Sequence, residues 1–167
     1  MENKNLSPLE KAKRYAFFLL KFRLRSEKEI YQRLKKKCFP EGDIQKVVVF
    51  LKSKNFINDL VFAKAWVDSR VKKPIGARRL KTELKIKGIQ EGIIDEQIER
   101  VKKEYPQDMI ALELAKSRFT KLKSVEPQKA RVRVYGFLIR RGFSPDVVID
   151  VLNNIKPDQK QDQVPFI

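Results

Sequence analysis

Ile30-x3-Leu34-x2-Lys37-Cys38-Phe39-x4-Ile44-x3-Val48 is a phrase that this chain uses three times. It returns as Leu80-x3-Leu84-x2-Lys87-Gly88-Ile89-x4-Ile94-x3-Ile98, and again as Val134-x3-Leu138-x2-Arg141-Gly142-Phe143-x4-Val148-x3-Leu152. Each copy reads as a helix with apolar residues four apart, a basic last turn, a helix-ending residue, an apolar plug and a second helix. An offset of about fifty residues marks a repeat array, whose units cannot bury their apolar faces alone and are stabilised by stacking on neighbours. The expected fold is all-α: three tandem three-helix repeats in an elongated, curved array that offers a long surface rather than a pocket.

Outward from that phrase, local helix signals complete each repeat. Ser7-Pro8-x-Glu10 sets a capping serine before a proline at the first helical position, with Glu three residues after the cap. It opens a helix to about Arg23, with Ala12, Tyr15, Ala16, Leu19 and Leu20 on the helical period. Ser26-x-x-Glu29 reads as a second capping box and opens a helix ending near Cys38; Ile44, Val47, Val48 and Leu51 mark the third. Asn58 and Asp59 cap a fourth, carrying Phe62, Ala63, Trp66, Val67 and Arg70. After the break Lys73-Pro74-Ile75-Gly76, a fifth runs to Lys87, with Gly88 where a left-handed C-cap is expected. The sixth spans Glu91 to Lys103 and is closed by Tyr105-Pro106, and the seventh holds Ile110, Leu114, Ala115 and Leu122. The eighth begins at Pro127 and stops before Gly142, and Ser144-Pro145 caps a ninth that ends near Ile155. The repeats are assigned to 1–58 (with a short N-terminal arm), 59–105 and 106–155. The polar, aperiodic stretch 156–167 reads as a disordered tail.

The aromatic residues Tyr15, Phe18, Phe22, Phe62, Trp66 and Phe119 lie on or beside apolar helical lines and read as core. Phe17 lies off the line and is the one expected to be exposed. Phe39, Ile89 and Phe143 read as plugs between the second and third helix of each repeat.

Charge is the second strong signal. The 167 residues carry 38 Lys and Arg against 21 Asp and Glu, a net +17, with the surplus heaviest in residues 1–58. Such a surplus repels itself unless a polyanion is near, so nucleic acid or an acidic protein groove is the natural partner. There is no apolar run of about 18 residues, and the lone Cys38 fits a reducing compartment; a cytoplasmic, membrane-free protein is expected. With no histidine and a single cysteine, neither His-based acid–base or nucleophilic chemistry nor an ordinary zinc site is available. No phosphate-binding G-x4-G-K-[ST] loop occurs. The expectation is a protein without catalysis or cofactor, although scattered carboxylates leave a metal-dependent nuclease open on composition alone.

Longer stretches carry a resemblance. Phe62-Ala63-x2-Trp66-Val67-x2-Arg70, followed by Gly76-x2-Arg79-Leu80-x2-Glu83-Leu84-x2-Lys87-Gly88-Ile89, is similar to the central signature of the bacterial RecX proteins. Ala130-x4-Tyr135-Gly136-Phe137-Leu138-x-Arg140-Arg141-Gly142-Phe143-Ser144 resembles that family's C-terminal signature. Ala12-x2-Tyr15-Ala16-x2-Leu19-Leu20 with Arg25-Ser26-x2-Glu29-Ile30 resembles its N-terminal one. Two positions depart. Cys38 stands where the family usually has glycine, which predicts another turn geometry in the first repeat. Lys-Pro-Ile-Gly replaces a common Gly-Pro break. The resemblance implies a regulator of the RecA recombinase, lying along the groove of the RecA–single-stranded DNA filament. Such a regulator modulates, usually by inhibition, strand exchange, ATP hydrolysis and co-protease activity in recombination, DNA repair and the SOS response. The implied partners are that filament and single-stranded DNA, with duplex bound weakly, and the chain is expected to act as a monomer.

The residues expected to make that contact are cations off the apolar lines: Lys28, Lys35 and Lys36; Arg78, Lys81 and Lys85; Arg131, Arg133 and Arg140. Side chains three, four and seven apart share one helical face, so stacked repeats would align them into a basic strip. Arg70, Lys72 and Lys73 at the hinge, with Arg79 and Arg141, extend the patch, and Glu83 is placed to hold Arg79 and Lys87. Two rival readings are a helix-turn-helix-like module acting on naked DNA without RecA, and a scaffold for acidic proteins.

Overall fold

The computed structural model describes residues 6–155. Among them lie nine helices and no strand: α1 (Pro8–Phe22), α2 (Glu27–Lys36), α3 (Glu41–Ser53), α4 (Asp59–Arg70), α5 (Ala77–Ile86), α6 (Glu91–Glu104), α7 (Gln107–Thr120), α8 (Pro127–Arg141) and α9 (Pro145–Asn154). The expected tail and the start of the N-terminal arm lie outside the described residues. The fold is all-α, as three repeats of three helices. Leu122, expected on the seventh helix, lies beyond its end and packs from the turn against the core.

The chain forms two compact units. The first takes the chain up to Ser69 together with Lys81–Gln97, and the second takes Arg70–Leu80 with Ile98 onward. In the first, Ala12, Ala16 and Leu19 of α1 close on Ile30 and Leu34 of α2 and on Ile44, Val47, Val48 and Leu51 of α3. In the second, Ala111 and Ala115 of α7 meet Val134 and Leu138 of α8 and Val148, Val151 and Leu152 of α9. Alanine pairs on α1 and α7 let neighbouring helices approach, while each buried Leu, Ile or Val removes roughly 1.5–3 kcal/mol worth of apolar surface from water. Of the expected plugs, Ile89 and Phe143 are buried and Phe39 is half-buried.

The starts of α1 and α4 follow local chemistry, and that of α2 does so only in part. At α1 the capping box is complete: the Glu10 N–H donates to Ser7 Oγ (3.2 Å) and the Ser7 N–H to Glu10 Oε2 (2.9 Å). Asn58 Oδ1 caps α4 by accepting the Leu60 and Val61 N–H groups. At α2 the expected box is only half formed. The Glu29 N–H donates to Ser26 Oγ at 3.2 Å, but the Glu29 carboxylate turns away, to Arg23 Nη1 (2.8 Å) and Lys87 Nζ (2.6 Å). Two cations outbid one backbone N–H for the same carboxylate. Lys87 in turn lies 4.5 Å from the Trp66 ring centre, and Trp66 Nε1 donates to Glu83 Oε2 at 3.1 Å.

Each unit contains one junction between a second helix and the end of the next repeat's second helix. In the first unit the Ser26 hydroxyl donates to the Lys87 carbonyl (2.7 Å), and Asp59 Oδ1 accepts the Glu27 N–H (2.9 Å). In the second the Gly76 N–H donates to the Arg141 carbonyl (2.9 Å), the Arg78 N–H to the Gly142 carbonyl (3.0 Å), and Gln107 Oε1 accepts the Ala77 N–H (2.9 Å).

These junctions explain the glycines. Cys38, Gly88 and Gly142 all end a helix in the left-handed region, at φ of 58°, 82° and 91°. The expectation of a different turn at Cys38 is therefore overturned: its N–H bonds the Lys35 carbonyl and the Phe39 N–H the Leu34 carbonyl, the pattern repeated at Gly88 and Gly142. What differs is the neighbour. A Cβ on Gly88 would overlap the Lys28 stem, and one on Gly142 would overlap Arg79. Cys38 is exposed, so a side chain there meets only the left-handed penalty of about 1–2 kcal/mol.

Two stability outcomes follow, both readable by urea unfolding. Cys38→Gly should stabilise the protein by about 1 kcal/mol, whereas Gly142→Ala should cost about 2–5 kcal/mol, because strain and overlap add. A Gly142→Ala cost no larger than the gain from Cys38→Gly would refute the junction account. Burial pushes the Glu29 carboxyl up, but hydrogen bonds from Arg23 and Lys87 outweigh it and hold the group at about 2, against an ordinary 4.5. A folded-state value below the unfolded one gives stability that is complete above pH 4.5 and lost as pH falls toward 2. Glu29→Gln should therefore cost about 1.5–3 kcal/mol near neutral pH, with parent and variant converging in acid; a pH-independent gap would show that the ion pairs contribute nothing.

Candidate nucleic-acid interface

The fourteen candidate cations fall into three environments. In the first unit, Lys28, Lys35 and Lys36 stand exposed on α2. Lys28 packs its stem by Gly88, and Lys35 Nζ sits 5.7 Å from the Tyr31 ring centre. On α5, Lys81 and Lys85 face the first turns of α6. Lys81 Nζ lies 2.8 Å from both Glu91 and Asp95, and Lys85 Nζ 3.1 Å from Glu91. Hydrogen bonds to Asp95 and then Glu91 push the Lys81 ammonium well above its ordinary value. These two cations come with their own carboxylates, so they offer little net positive potential to a polyanion. The fifty-residue equivalence of α2 and α5 keeps its charge at Lys28 and Arg78 and at Lys35 and Lys85, but not at Lys81: Tyr31 fills that place, and its hydroxyl donates to Glu41 at 2.9 Å.

In the second unit Arg131 is a structural clamp. It donates to the Leu152 carbonyl (2.8 Å) and Asn153 Oδ1 (2.6 Å), tying down the last turn of α9. Arg133 is exposed and makes no hydrogen bond or ion pair among the described residues.

The remaining candidates converge. The backbone bonds of Gly76 and Arg78 bring the start of α5 against the end of α8, which gathers Arg78, Arg79, Arg140 and Arg141, with Lys72 and Lys73 on the adjoining turn and Arg70 closing α4. Arg79 Nη1 reaches the Arg140 carbonyl (3.5 Å) and Arg141 Nη1 the Pro74 carbonyl (3.3 Å). Arg141 also lies 5.3 Å from the Phe137 ring centre, and Gly136 leaves room for the Arg140 guanidinium. Lys72, Lys73, Arg78, Arg79 and Arg140 are exposed, while Arg70 and Arg141 are half-buried.

Among the aromatic residues, Phe62 is buried and Tyr15, Trp66 and Phe119 are half-buried. Phe18 and Phe22, expected in the core, are instead 54% and 67% exposed. Phe17, expected to be exposed, is 38% exposed and makes edge-on contacts with Phe50 and Phe56. Apolar residues occur on more than one side of α1, and periodicity alone does not say which side faces in. Glu83, expected between Arg79 and Lys87, accepts Trp66 Nε1, while Lys87 pairs with Glu29.

A shallow groove of about 230 Å³ between α8 and α9 is lined by Gln128, Arg131, Val132, Tyr135, Ile149, Leu152 and Asn153, none of them a carboxylate. Among the described residues no group of three or more His, Cys, Asp or Glu side chains is placed to hold a metal ion. No described helix is long and apolar enough to cross a membrane.

Comparison with known proteins matches three family models in chain order: the first three-helix domain of RecX over residues 12–51, the second over 58–97 and the third over 107–152. The regulatory protein RecX of Chlorobium phaeobacteroides is 37% identical over 147 residues, covering 87% of this chain and 94% of that protein. Its counterpart in Vibrio campbellii is 35% identical over 150 residues, covering 89% and 94%. Two crystal structures share the fold. RecX from Lactobacillus salivarius has a TM-score of 0.75 at 21% identity, covering 87% of this chain and 95% of that one. A second structure of regulatory protein RecX has a TM-score of 0.77 at 22% identity, covering 92% and 81%.

Proposed function

The chain belongs to the RecX family, and we propose that it is a non-enzymatic regulator that binds the groove of the RecA–single-stranded DNA filament and lowers recombinase, ATPase and co-protease activity. Its relatives carry the name regulatory protein. The observation that carries the reading is the cation cluster at the start of α5 and the end of α8. Backbone hydrogen bonds, rather than mobile side chains, bring these arginines and lysines together. Pre-assembled cations lose little freedom on meeting a row of phosphates or an acidic groove, and arginine adds bidentate geometry toward either.

Within that cluster Lys72, Lys73 and Arg140 present exposed charge, whereas Lys81 and Lys85 are offset by Glu91 and Asp95. An exposed ion pair is worth about 0–1 kcal/mol to stability, so both sets can be altered without loss of the fold.

The test is a titration of RecA-dependent ATP hydrolysis on preformed filament, with helicity checked by circular dichroism. Suppression should begin at amounts too small to cover the strand; a requirement for full coverage would indicate competition for naked DNA. Lys72→Glu/Lys73→Glu/Arg140→Glu should raise the amount needed for half-suppression by about 10-fold or more, and Lys81→Gln/Lys85→Gln should shift it by less than about 2-fold. Equal effects from the two variants would remove the site assignment. Binding to bare DNA should weaken steeply with salt, as neutralised phosphates release counterions.

A further inference from the structure

We infer that the outer face of α1 is a stacking surface for unpaired bases of a single-stranded nucleic acid. The inner side of this helix is set by Ala12, Ala16 and Leu19, all buried. At 3.6 residues per turn, Lys11, Arg14, Phe18, Lys21 and Phe22 fall within an arc of about 100° on the opposite side. All five are exposed. The Phe18 and Phe22 rings lie 5.0 Å apart and nearly perpendicular, and Tyr15 stacks on Phe18 at 6.4 Å with planes 19° apart. The result is a short ladder of rings with cations interleaved at helical spacing.

The repeats supply an internal control. Aligning the buried pair Ala12/Ala16 with Ala63/Val67 of α4 and Ala111/Ala115 of α7 sets Phe18 and Phe22 against Ser69 and Lys73, and against Ser117 and Lys121. In both sister repeats the matching helix carries the serine, and the lysine falls at or just past the helix end, beyond Arg70 of α4 and at the cap of α7. The fold therefore asks for no aromatic ring there, and two phenylalanines held in water need another reason.

The chemistry of the arc names the partner. Rings offer faces to stack on, and Lys11 and Lys21 offer charge to phosphates on either side, which is how single-strand binders hold a chain without reading its sequence. Glu10, at the edge of the arc, is occupied by Ser7. A duplex keeps its base faces covered, so the surface selects unpaired strands. An apolar protein partner would not call for cations between the rings.

The test measures binding of the full chain to labelled oligo-dT, to an oligonucleotide of equal length with abasic sites, and to duplex, by fluorescence anisotropy. No recombinase is present, so the outcome is independent of the filament reading. Phe18→Ser/Phe22→Ser should bind oligo-dT about 10-fold or more weakly, at unchanged helicity, and bind the abasic strand like the parent. Phe18→Tyr/Phe22→Tyr, which keeps the rings, should stay within about 2-fold of the parent on oligo-dT; it carries the test if the serine pair fails to fold. The parent should prefer oligo-dT to the abasic strand, and Lys11→Gln/Lys21→Gln should weaken both and flatten the salt dependence. A serine variant that binds oligo-dT like the parent, or a parent that binds the abasic strand equally well, overturns the proposal.

Discussion

The structure depends on satisfying the free N–H groups at the start of each repeat's second helix. A helix begins with four N–H groups that have no partner within it and ends with four such carbonyls. Here α2 and α5 each draw on the following repeat to meet that demand. The start of α2 receives the Asp59 carboxylate and, through the Ser26 hydroxyl, the Lys87 carbonyl just past the end of α5. The start of α5 receives Gln107 and the last carbonyls of α8. Opposite ends of helix dipoles thus meet, adding a favourable electrostatic term to hydrogen bonds that would otherwise need water. The two junctions reach one result by different chemistry. The Ser26 side chain spans the gap, whereas Gly76 allows the backbone N–H itself to reach the neighbouring carbonyl, since a Cβ there would overlap Gly142.

That same constraint places the charges. The last turns of α2, α5 and α8 carry Lys35 and Lys36, Lys85, and Arg140 and Arg141, where cations suit the negative end of a helix dipole. A cation recurring at these positions thus has a structural reason before any functional one. Arg131 extends the point by tying down α9. The recurrence of basic residues in the sequence reports a folding rule as much as a binding surface, and only the surroundings of each side chain separate the two.

Much of the architecture was legible because its signals are local. Ser7-Pro8-x-Glu10, Pro127, Ser144-Pro145 and the glycines at 88 and 142 each act within one turn of helix, and each marked its boundary. What escaped were outcomes decided by residues distant in sequence. Ser26-x-x-Glu29 has the letters of a capping box, but Lys87, fifty-eight residues away, competes for the carboxylate. Cys38 has the wrong letter for a left-handed turn, yet it adopts one because no neighbour crowds its Cβ. Phe18 and Phe22 are exposed although they lie beside an apolar line, because α1 carries apolar residues on both its inner and outer sides. Their correspondence with Ser69 and Lys73, and with Ser117 and Lys121, was the signal in the sequence that separates the two sides. The ion pairs of Lys81 and Lys85 depend on where α6 begins relative to α5, which composition does not reveal.

Net charge therefore overstates how much of this surface attracts a polyanion. Lys81 brings Glu91 and Asp95 within 2.8 Å of its ammonium, so a phosphate approaching it also approaches two carboxylates. Beyond a Debye length of about 8 Å at physiological salt, such a group is nearly silent. The cations around the α5–α8 junction and those on the outer face of α1 are different. The first are gathered by backbone bonds that their own charges do not supply, and the second are interleaved with rings whose attraction to bases survives screening. Attraction at range and selectivity at contact then rest on different residues, which is the division of labour that the proposed binding to a nucleoprotein filament calls for.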